Sequence, residues 1–361
     1  KSWLVPLQLL SIVLYSALGF ITLGAGELSL VLGAFLFTNL LAASQDVATD
    51  GLAVDILLPS ERGWANGIQV AGYRIGMIIG GGALLAIYPT VGWSGVMFSM
   101  AVFAALCTLP VLTYQEPVLP TLLNSRSTAS SASSFKSSSA FKEMVHFYFA
   151  PGALLWAVVL LLYKFGHASA TGMLRPWLVD QGYSIQDIAW ILGTGGFVAG
   201  FLGAMGGGWL AAKYSRSKLL IALGVGQVLA VASYLWPVMT EHAAYKVLIS
   251  ASIDHFTSGL ATTTLFTLMM DACSKDRAAS DYTAQACVVV ISQGLAAAVA
   301  GFSAQYFGYS AHFALSTAVA AGAVLLTAYI VRNQKVRMLL TPELGRVISK
   351  TATSVVCVLI S

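Results

Sequence analysis

The chain has 361 residues, of which 57% are hydrophobic and only 9% are charged, whereas about 25% of the residues are charged in an ordinary soluble domain. This composition excludes a soluble globular protein, and the formal net charge of +4 is too small to indicate binding to nucleic acid. We therefore expect an integral membrane protein that is embedded in a lipid bilayer and has no nucleic-acid partner.

Ten apolar segments are long enough to cross a bilayer as helices, since a spanning helix needs about 20 residues. Their apolar runs are continuous rather than alternating, which favours helices over the strands of a membrane barrel. The predicted spans are residues 3–23, 28–58, 66–88, 91–114, 151–174, 185–212, 219–240, 244–272, 282–307 and 311–331. The sequence thus predicts an all-α polytopic membrane protein.

The composition changes abruptly between the fourth and fifth predicted spans. Residues 125–139 are rich in serine, a pattern typical of a flexible linker. We expect an N-terminal helical bundle at 1–114, a linker at 115–145, a C-terminal helical bundle at 146–332 and a tail at 333–361. Membrane transport proteins are commonly built from matched repeats, so four spans followed by six predict that two helices precede Lys1.

Basic residues in the loops orient the predicted bundles, because Lys and Arg are enriched in cytoplasmic loops. If the linker is cytoplasmic, most of the basic loop residues share its side of the membrane. The opposite side then has Arg175 and Lys246. We therefore expect the linker and the C-terminus to be cytoplasmic.

Carboxylates in the second predicted span are the clearest functional signal in the sequence. Asp46 and Asp50 are four residues apart and so share one face of a helix. A charge at the bilayer centre costs about 3 kcal/mol and is rarely kept without a partner or a task. Arg74 lies at a matching depth in the next, antiparallel span. We expect Arg74 to pair with Asp46 or Asp50, either for proton coupling or substrate binding or only as a structural tie between two helices.

A second polar group lies beyond the linker. Lys164 and His167 are in the fifth predicted span, and Asp254 and His255 are at a comparable depth in the eighth. A contact between Lys164 and Asp254 would neutralise both charges. Histidine, whose unperturbed pKa is about 6.5, can carry protons in the physiological range. The pattern predicts a polar site, although each histidine alone is equally explained as a hydrogen-bonded packing residue.

Glycines recur in the third and sixth predicted spans, where small residues would let helices approach closely. That spacing suits helices that slide and also suits static packing. The four cysteines have no metal-ligand spacing, so we expect reduced packing residues, no metal and no cofactor. No catalytic spacing of Ser, His and Asp is visible in the sequence. We expect no enzyme, and a membrane-embedded enzyme or a receptor are the alternatives from other classes.

Several short motifs resemble one known family. Residues 43–51 (ASQDVATDG), followed by 61–63 (ERG) and 72–74 (GYR), are similar to the signature of the AmpG-type branch of the major facilitator superfamily. Residues 163–167 (YKFGH) and 281–285 (DYTAQ) resemble the second half of that branch. Residues 208–216 (GWLAAKYSR) resemble the superfamily's cytoplasmic loop motif, with Ala212 where an aspartate is usual and Ser215 where a glycine is usual.

The resemblance implies the major facilitator fold, in which twelve helices form two pseudo-symmetric bundles and helices one, four, seven and ten line a cavity. Ten of the twelve helices would then be present, the first two being absent. The spans with Asp46, Lys164 and Asp254 would be cavity helices four, seven and ten. The implied residues are Asp46, Asp50 and Arg74 for proton coupling or an ion pair, and Gln45, Tyr73, Lys164, His167, Asp254, His255, Tyr282 and Gln285 for substrate binding.

In function, the resemblance implies a secondary active transporter that imports a small organic solute, such as an anhydromuropeptide, together with protons by alternating access. The alternatives within the superfamily are a siderophore importer similar to RhtX and FptX, toward which residues 281–285 lean, and an acetyl-coenzyme A-type transporter. The expected partners are a small-molecule substrate, protons and the lipid bilayer. We expect a monomer in the bacterial inner membrane.

Overall fold

The computed structural model describes residues 3–21, 26, 28–114, 142, 144–240, 243–274 and 277–341. Every regular element within these ranges is helical, which confirms the prediction of an all-α chain. The serine-rich part of the predicted linker and the end of the predicted tail lie outside the described residues.

Helices cover most of each predicted apolar segment, but several of them are short or cross the predicted boundaries. In chain order they are α1 (Leu4–Gly19), α2 (Leu28–Ile56), α3 (Arg62–Met77), α4 (Leu84–Thr113), α5 (Ala153–Tyr163), α6 (Phe165–Asp180), α7 (Ile185–Ile188), α8 (Gly196–Lys213), α9 (Arg216–Ser233), α10 (Leu235–Met239), α11 (Ala244–Asp271), α12 (Ala278–Ile330) and α13 (Gln334–Leu340). Two π-helical segments, Ile78–Ala83 and Ala189–Gly195, precede α4 and α8.

Six helical stretches of the described chain are long and apolar enough to cross a membrane. They are Leu28–Ile56, Ile87–Thr113, Ala153–Asp180, Gln186–Lys213, Arg216–Met239 and Ala278–Ile330. The last stretch covers two predicted spans, and its backbone leaves the helical conformation at Gly308, where φ is 77°. Glycine adopts such a positive φ without strain, so the chain turns there between the predicted spans. The number of ten spans stays a prediction.

Contacts divide the chain into two units. One comprises Lys1–Ala53 and Ala83–Glu143, and the other comprises Val54–Gly82 and Met144–Ser361. In the smaller unit α1 packs against α4, where the indole Nε1 of Trp93 donates a hydrogen bond of 2.8 Å to the carbonyl oxygen of Leu18. Helix α3 belongs to the larger unit although it precedes the predicted linker, and the division into bundles at 115–145 stays a prediction.

The larger unit has an aromatic core between α6, α9, α11 and α12. The Trp177 and Phe313 rings meet edge to face with centroids 6.4 Å apart, and Tyr234 packs on Phe313 at 5.6 Å. All three side chains are at most 1% exposed. Large buried rings of this kind contribute much of the packing energy of a core, so they hold α6 and the end of α9 against α12.

Helix α8 lies unusually close to α11 and α3 because small residues face both neighbours. A Cβ atom at Gly203 would overlap the carbonyl oxygen of Phe256 on α11, and one at Gly208 would lie 2.8 Å from the carbonyl oxygen of Gly63 on α3. Apolar burial does not drive helices together in lipid, so this close backbone contact is a main source of attraction between them. The predicted glycine face of the sixth span therefore brings helices into contact, whereas a Cβ atom at Gly72, Gly76 or Gly80 of the third span would meet no described atom within 4 Å.

We predict that Gly203→Ala lowers the melting temperature of the detergent-solubilised protein, because the added methyl group forces α8 away from α11. Gly206→Ala is the matched control on the same helix, since its Cβ would meet only the flexible Leu260 Cδ2 at 3.4 Å. It should leave the melting temperature unchanged or raise it, as Ala is favoured over Gly in a helix by about 0.5–1 kcal/mol. Equal melting temperatures for both variants would contradict the close packing of α8 on α11.

Candidate functional site

Five polar side chains from three parts of the larger unit come together in its apolar interior. We call them the Asp254 cluster, which consists of Arg74 on α3, Lys164 between α5 and α6, His167 on α6, and Asp254 and His255 on α11. Asp254 is 1% exposed and Lys164 is 4% exposed. Buried charges of this kind are rarely kept in an apolar helix unless they serve a function, so the cluster is the candidate functional site.

Lys164 and His167 are positioned by a close contact behind them. They lie three residues apart and therefore on one side of the helix. Between them, Gly166 faces α12 so closely that a Cβ atom would lie 2.6 Å from the backbone nitrogen of Ala320. This contact holds the helix against α12 and leaves Lys164 and His167 facing α11.

Asp254 pairs with His167, and Lys164 bonds to a neighbouring hydroxyl. The His167 Nε2 atom lies 3.2 Å from Asp254 Oδ1, and Lys164 Nζ donates a hydrogen bond of 3.2 Å to Ser258 Oγ. Lys164 and Asp254 interact electrostatically, but the direct hydrogen bond of Lys164 goes to Ser258 rather than to Asp254. The physical reason is that Ser258 lies one helical turn beyond Asp254, so the two basic residues reach successive positions of α11.

Arg74 joins the cluster through His255. Arg74 Nη1 lies 3.1 Å from His255 Nδ1, and because a guanidinium can only donate, the imidazole Nδ1 accepts and carries no proton. Glycines on α8 make room for both groups. A Cβ atom at Gly196 would lie 2.6 Å from His255 Cδ2, and one at Gly200 would lie 3.1 Å from Arg74 Nε.

The cluster has more basic than acidic groups. Lys164 and Arg74 both interact electrostatically with the Asp254 carboxylate. With Lys164 and Arg74 protonated and both histidines neutral, two cations face one carboxylate. Charges interact strongly where water is excluded, so the arrangement can attract and hold an anionic group.

The other predicted site residues of the first half are on α2 and α3. Gln45, Asp46 and Asp50 are on α2 in the smaller unit, where Asp46 is exposed and the other two are half-buried. Tyr73 is 66% exposed on α3. The predicted ion pair of Arg74 with Asp46 or Asp50 stays a prediction.

Tyr282 and Gln285 are not brought to the Asp254 cluster. Both are buried on α12, and Gln285 accepts a hydrogen bond of 2.7 Å from Trp156 Nε1 and donates one of 3.0 Å to the Met269 carbonyl oxygen. Met269 lies about 22 Å along α11 from Asp254 at 1.5 Å per residue. Their proposed part in substrate binding stays a prediction.

A second buried ionic group, the Asp271 cluster, consists of Arg62, Arg216 and Asp271. Arg216 Nη1 lies 2.7 Å from Asp271 Oδ1 and 2.5 Å from Oδ2, and Arg62 Nη1 lies 3.1 Å from Oδ1. Arg216 also bonds through Nη2 to the carbonyl oxygen of Pro59. These contacts tie the beginnings of α3 and α9 to the end of α11.

Sequence reasoning missed two acceptors in these clusters. Arg62 and Arg216 stand within the family-like motifs, but Asp271 does not, and the sequence signal for it is an acid that ends an apolar segment. Asp271 is the carboxylate that accepts a hydrogen bond from Arg216, the last residue of the loop motif. Ser258 gave no signal, because a serine within an apolar helix usually bonds to its own backbone.

Comparison with known proteins identifies the family to which the chain belongs. The model of the Major Facilitator Superfamily matches residues 1–297. The anhydromuropeptide permease of Escherichia coli (strain K12) is 26% identical over 332 residues, which are 90% of this chain and 65% of the permease. The chain therefore spans less than two thirds of the length of that relative.

Solved structures share the fold at low sequence identity. The proton:xylose symporter XylE bound to 6-bromo-6-deoxy-D-glucose is 12% identical with a TM-score of 0.66, and the match covers 94% of this chain and 82% of XylE. A bacterial homologue of the iron transporter ferroportin in the outward-facing state is 15% identical with a TM-score of 0.57, over 92% and 82%. These likenesses confirm the helical fold, and the family match and the permease confirm the AmpG-type resemblance. The chain belongs to the major facilitator superfamily of membrane transporters.

Proposed function

We propose that the protein is a proton-coupled importer of an anionic solute of the anhydromuropeptide type, working by alternating access in the bacterial inner membrane. The observation that carries this proposal is the buried Asp254 cluster, with its excess of positive charge. The similarity to a permease for anhydromuropeptides over 90% of the chain supports the choice of cargo.

The contacts of Lys164 favour an anionic cargo. Among the described residues its hydrogen bond goes to the Ser258 hydroxyl, while the Asp254 carboxylate is engaged by His167. A buried ammonium group is costly unless an anion compensates it. A carboxylate of the cargo at Lys164 would supply that compensation, and the bound state would gain a charge-assisted hydrogen bond.

We place proton coupling on Asp46 and Asp50. These residues share one face of α2, and the guanidinium of Arg74 remains able to pair with a carboxylate. Its Nη1 is engaged by His255, while its buried Nε has no hydrogen-bond partner among the described residues. A carboxylate that alternates between a proton and Arg74 would link proton entry to a change at the cargo site.

The Asp271 cluster fits the part of a cytoplasmic gate in this mechanism. With the linker and C-terminus in the cytoplasm, the beginnings of α3 and α9 and the end of α11 face the same side. Two guanidinium groups on one carboxylate hold these ends together. The gate opens toward the cytoplasm only when these charge-assisted contacts separate, which makes opening dependent on other changes in the protein.

Uptake by the full chain in proteoliposomes tests the function. We expect labelled anhydromuropeptide to accumulate when the side from which it enters is acidic, and a protonophore to abolish accumulation. Asp46→Asn and Asp50→Asn should remove gradient-driven accumulation but leave exchange of cargo. Asp55→Asn is the matched control, because Asp55 lies on the opposite side of α2 from Asp46 and should support normal uptake.

Each other result contradicts a defined part of the proposal. Uptake of a labelled ferric siderophore in place of anhydromuropeptide would identify the alternative importer suggested by residues 281–285. Accumulation that ignores the pH gradient would exclude proton coupling. Normal uptake by both Asp46→Asn and Asp50→Asn would remove these carboxylates from the mechanism.

Lys164→Ala tests the cargo site directly. We expect binding of labelled anhydromuropeptide to weaken by about 1.5–3 kcal/mol, as for the loss of a hydrogen bond to a charged group. Ser258→Ala, which keeps the ammonium charge, should weaken binding far less. Because Asp254 pairs with His167, the double variant Lys164→Ala with Asp254→Ala should recover neither stability nor binding. Recovery of both would make Lys164 and Asp254 a structural ion pair.

A further inference from the structure

Three buried side chains of the larger unit, Asp254, Tyr234 and Gln227, have incompletely satisfied polar atoms. Within the described residues, no well-aligned hydrogen bond is found for either Asp254 carboxylate oxygen, the Tyr234 hydroxyl or the two amide atoms of Gln227. His167 approaches Asp254 Oδ1 to 3.2 Å but without the alignment of a hydrogen bond. The three side chains are 1%, 0% and 3% exposed, respectively, so bulk water does not satisfy them.

Tyr234 places its hydroxyl beside the Asp254 carboxylate. It lies between α9 and α10, and its ring is held against Phe313. The hydroxyl and the carboxylate interact electrostatically and lie within hydrogen-bonding reach of each other, although the pair is poorly aligned. A small molecule that both donates and accepts hydrogen bonds would connect the two groups.

Gln227 lies at the same level of the bundle as the Lys164–Ser258 contact. On α9, a Cβ atom at Gly224 would lie 3.1 Å from the Tyr163 ring, and one at Gly226 would lie 3.8 Å from Thr257 Cγ2. Lys164 and Ser258 follow Tyr163 and Thr257 directly in the chain. Gln227 follows Gly226 directly. Gln227, Lys164 and Ser258 therefore lie within about one helical turn, 5.4 Å, of one another along the bundle.

The energetic argument points to bound water. A buried polar group without a hydrogen bond costs about 1–3 kcal/mol, and an apolar side chain at Gln227 would avoid that cost. The other buried residues of α9 are apolar or glycine. Gln227 is buried among them, so contact with solvent does not explain why a glutamine is present at this position. Buried water typically makes about three hydrogen bonds to otherwise unsatisfied groups, and five such atoms are present on these three side chains.

We propose that Gln227 and Tyr234 are positioning residues that hold water against Asp254, and that this water exchanges a proton with the Asp254 carboxylate. A hydronium ion at this site gives one proton to the carboxylate, which leaves water and a neutral carboxylic acid. The titratable and charged groups that face Asp254 are Arg74 from α3, Lys164 and His167 from the α5–α6 segment, Tyr234 from α9 and His255 from α11.

Protonation of Asp254 would strengthen the binding of an anion. Once the carboxylate is neutral, the positive charges of protonated Lys164 and Arg74 are no longer offset within the cluster. By linkage, an anion that binds more tightly to the protonated form also favours proton uptake by the same factor. This use of the proton rests on the proposed function, whereas the water site itself does not.

Radiolytic hydroxyl-radical labelling of the full chain in detergent tests the water site without any cargo. Radicals form at bound water, so Tyr234 should be oxidised several times faster than Tyr163. Tyr163 is an internal control, because it is also buried but donates its hydroxyl hydrogen bond to the Leu220 carbonyl oxygen. Gln227→Leu, or Gln227→Met if the first variant does not fold, should reduce labelling of Tyr234 to the rate of Tyr163. Equal labelling of the two tyrosines in the unaltered protein would overturn the proposal.

Infrared titration tests the proton exchange. The carbonyl band of a protonated carboxyl group that disappears in Asp254→Asn reports Asp254, and its midpoint pH can be followed without cargo. We expect Tyr234→Phe and Gln227→Leu to shift this midpoint, whereas Tyr163→Phe should lower stability and leave the midpoint in place. A band absent over the whole stable pH range, or a midpoint that neither variant moves, would overturn the part assigned to the water.

Discussion

The contact of 3.2 Å between His167 and Asp254 is the interaction on which the rest of the larger unit depends. It joins α6 to α11 in the interior, and the next residue, His255, bonds to Arg74 of α3. Two successive residues of one helix thereby connect two other helices. Asp254 is buried, and His167, His255 and Arg74 are half-buried. Removal of the Asp254 charge would therefore leave several basic groups without compensation, which is more costly than the loss of one surface ion pair.

Helices α3 and α11 carry both ionic clusters and so link them mechanically. Arg62 and Arg74 are about 18 Å apart along α3, and Asp254 and Asp271 are about 26 Å apart along α11, at 1.5 Å per residue. The glycine contacts of α8 hold its backbone against both helices. A displacement that separates Arg62 from Asp271 therefore changes the position of Arg74 relative to His255. Cargo binding and gating would then act on the same two helices.

The depth of the polar side chains in the membrane could be predicted from the sequence, but the residues that they contact could not. Counting residues from the ends of apolar segments placed Lys164, His167, Asp254 and His255 at one level, and the structure brings them together. Depth does not fix the rotation of a helix about its axis. This rotation decides which side chains meet, and in the structure Lys164 contacts Ser258 while Asp254 contacts His167. The resemblance of residues 281–285 to a known family suggested that they contact the cargo. A resemblance gives no distances, so it could not show whether these residues reach the Asp254 cluster. In the structure Gln285 instead bonds to Trp156 and Met269.

The central claim is that the positive excess of the Asp254 cluster binds an anionic cargo. The most direct measurement compares the affinity of the purified full chain for anhydromuropeptide with its affinity for the same compound after amidation of the carboxylates. We predict that amidation weakens binding at least about tenfold, which corresponds to 1.4 kcal/mol, and that Lys164→Ala largely removes this difference. Equal affinity for the charged and amidated compounds in the unaltered protein would contradict the claim.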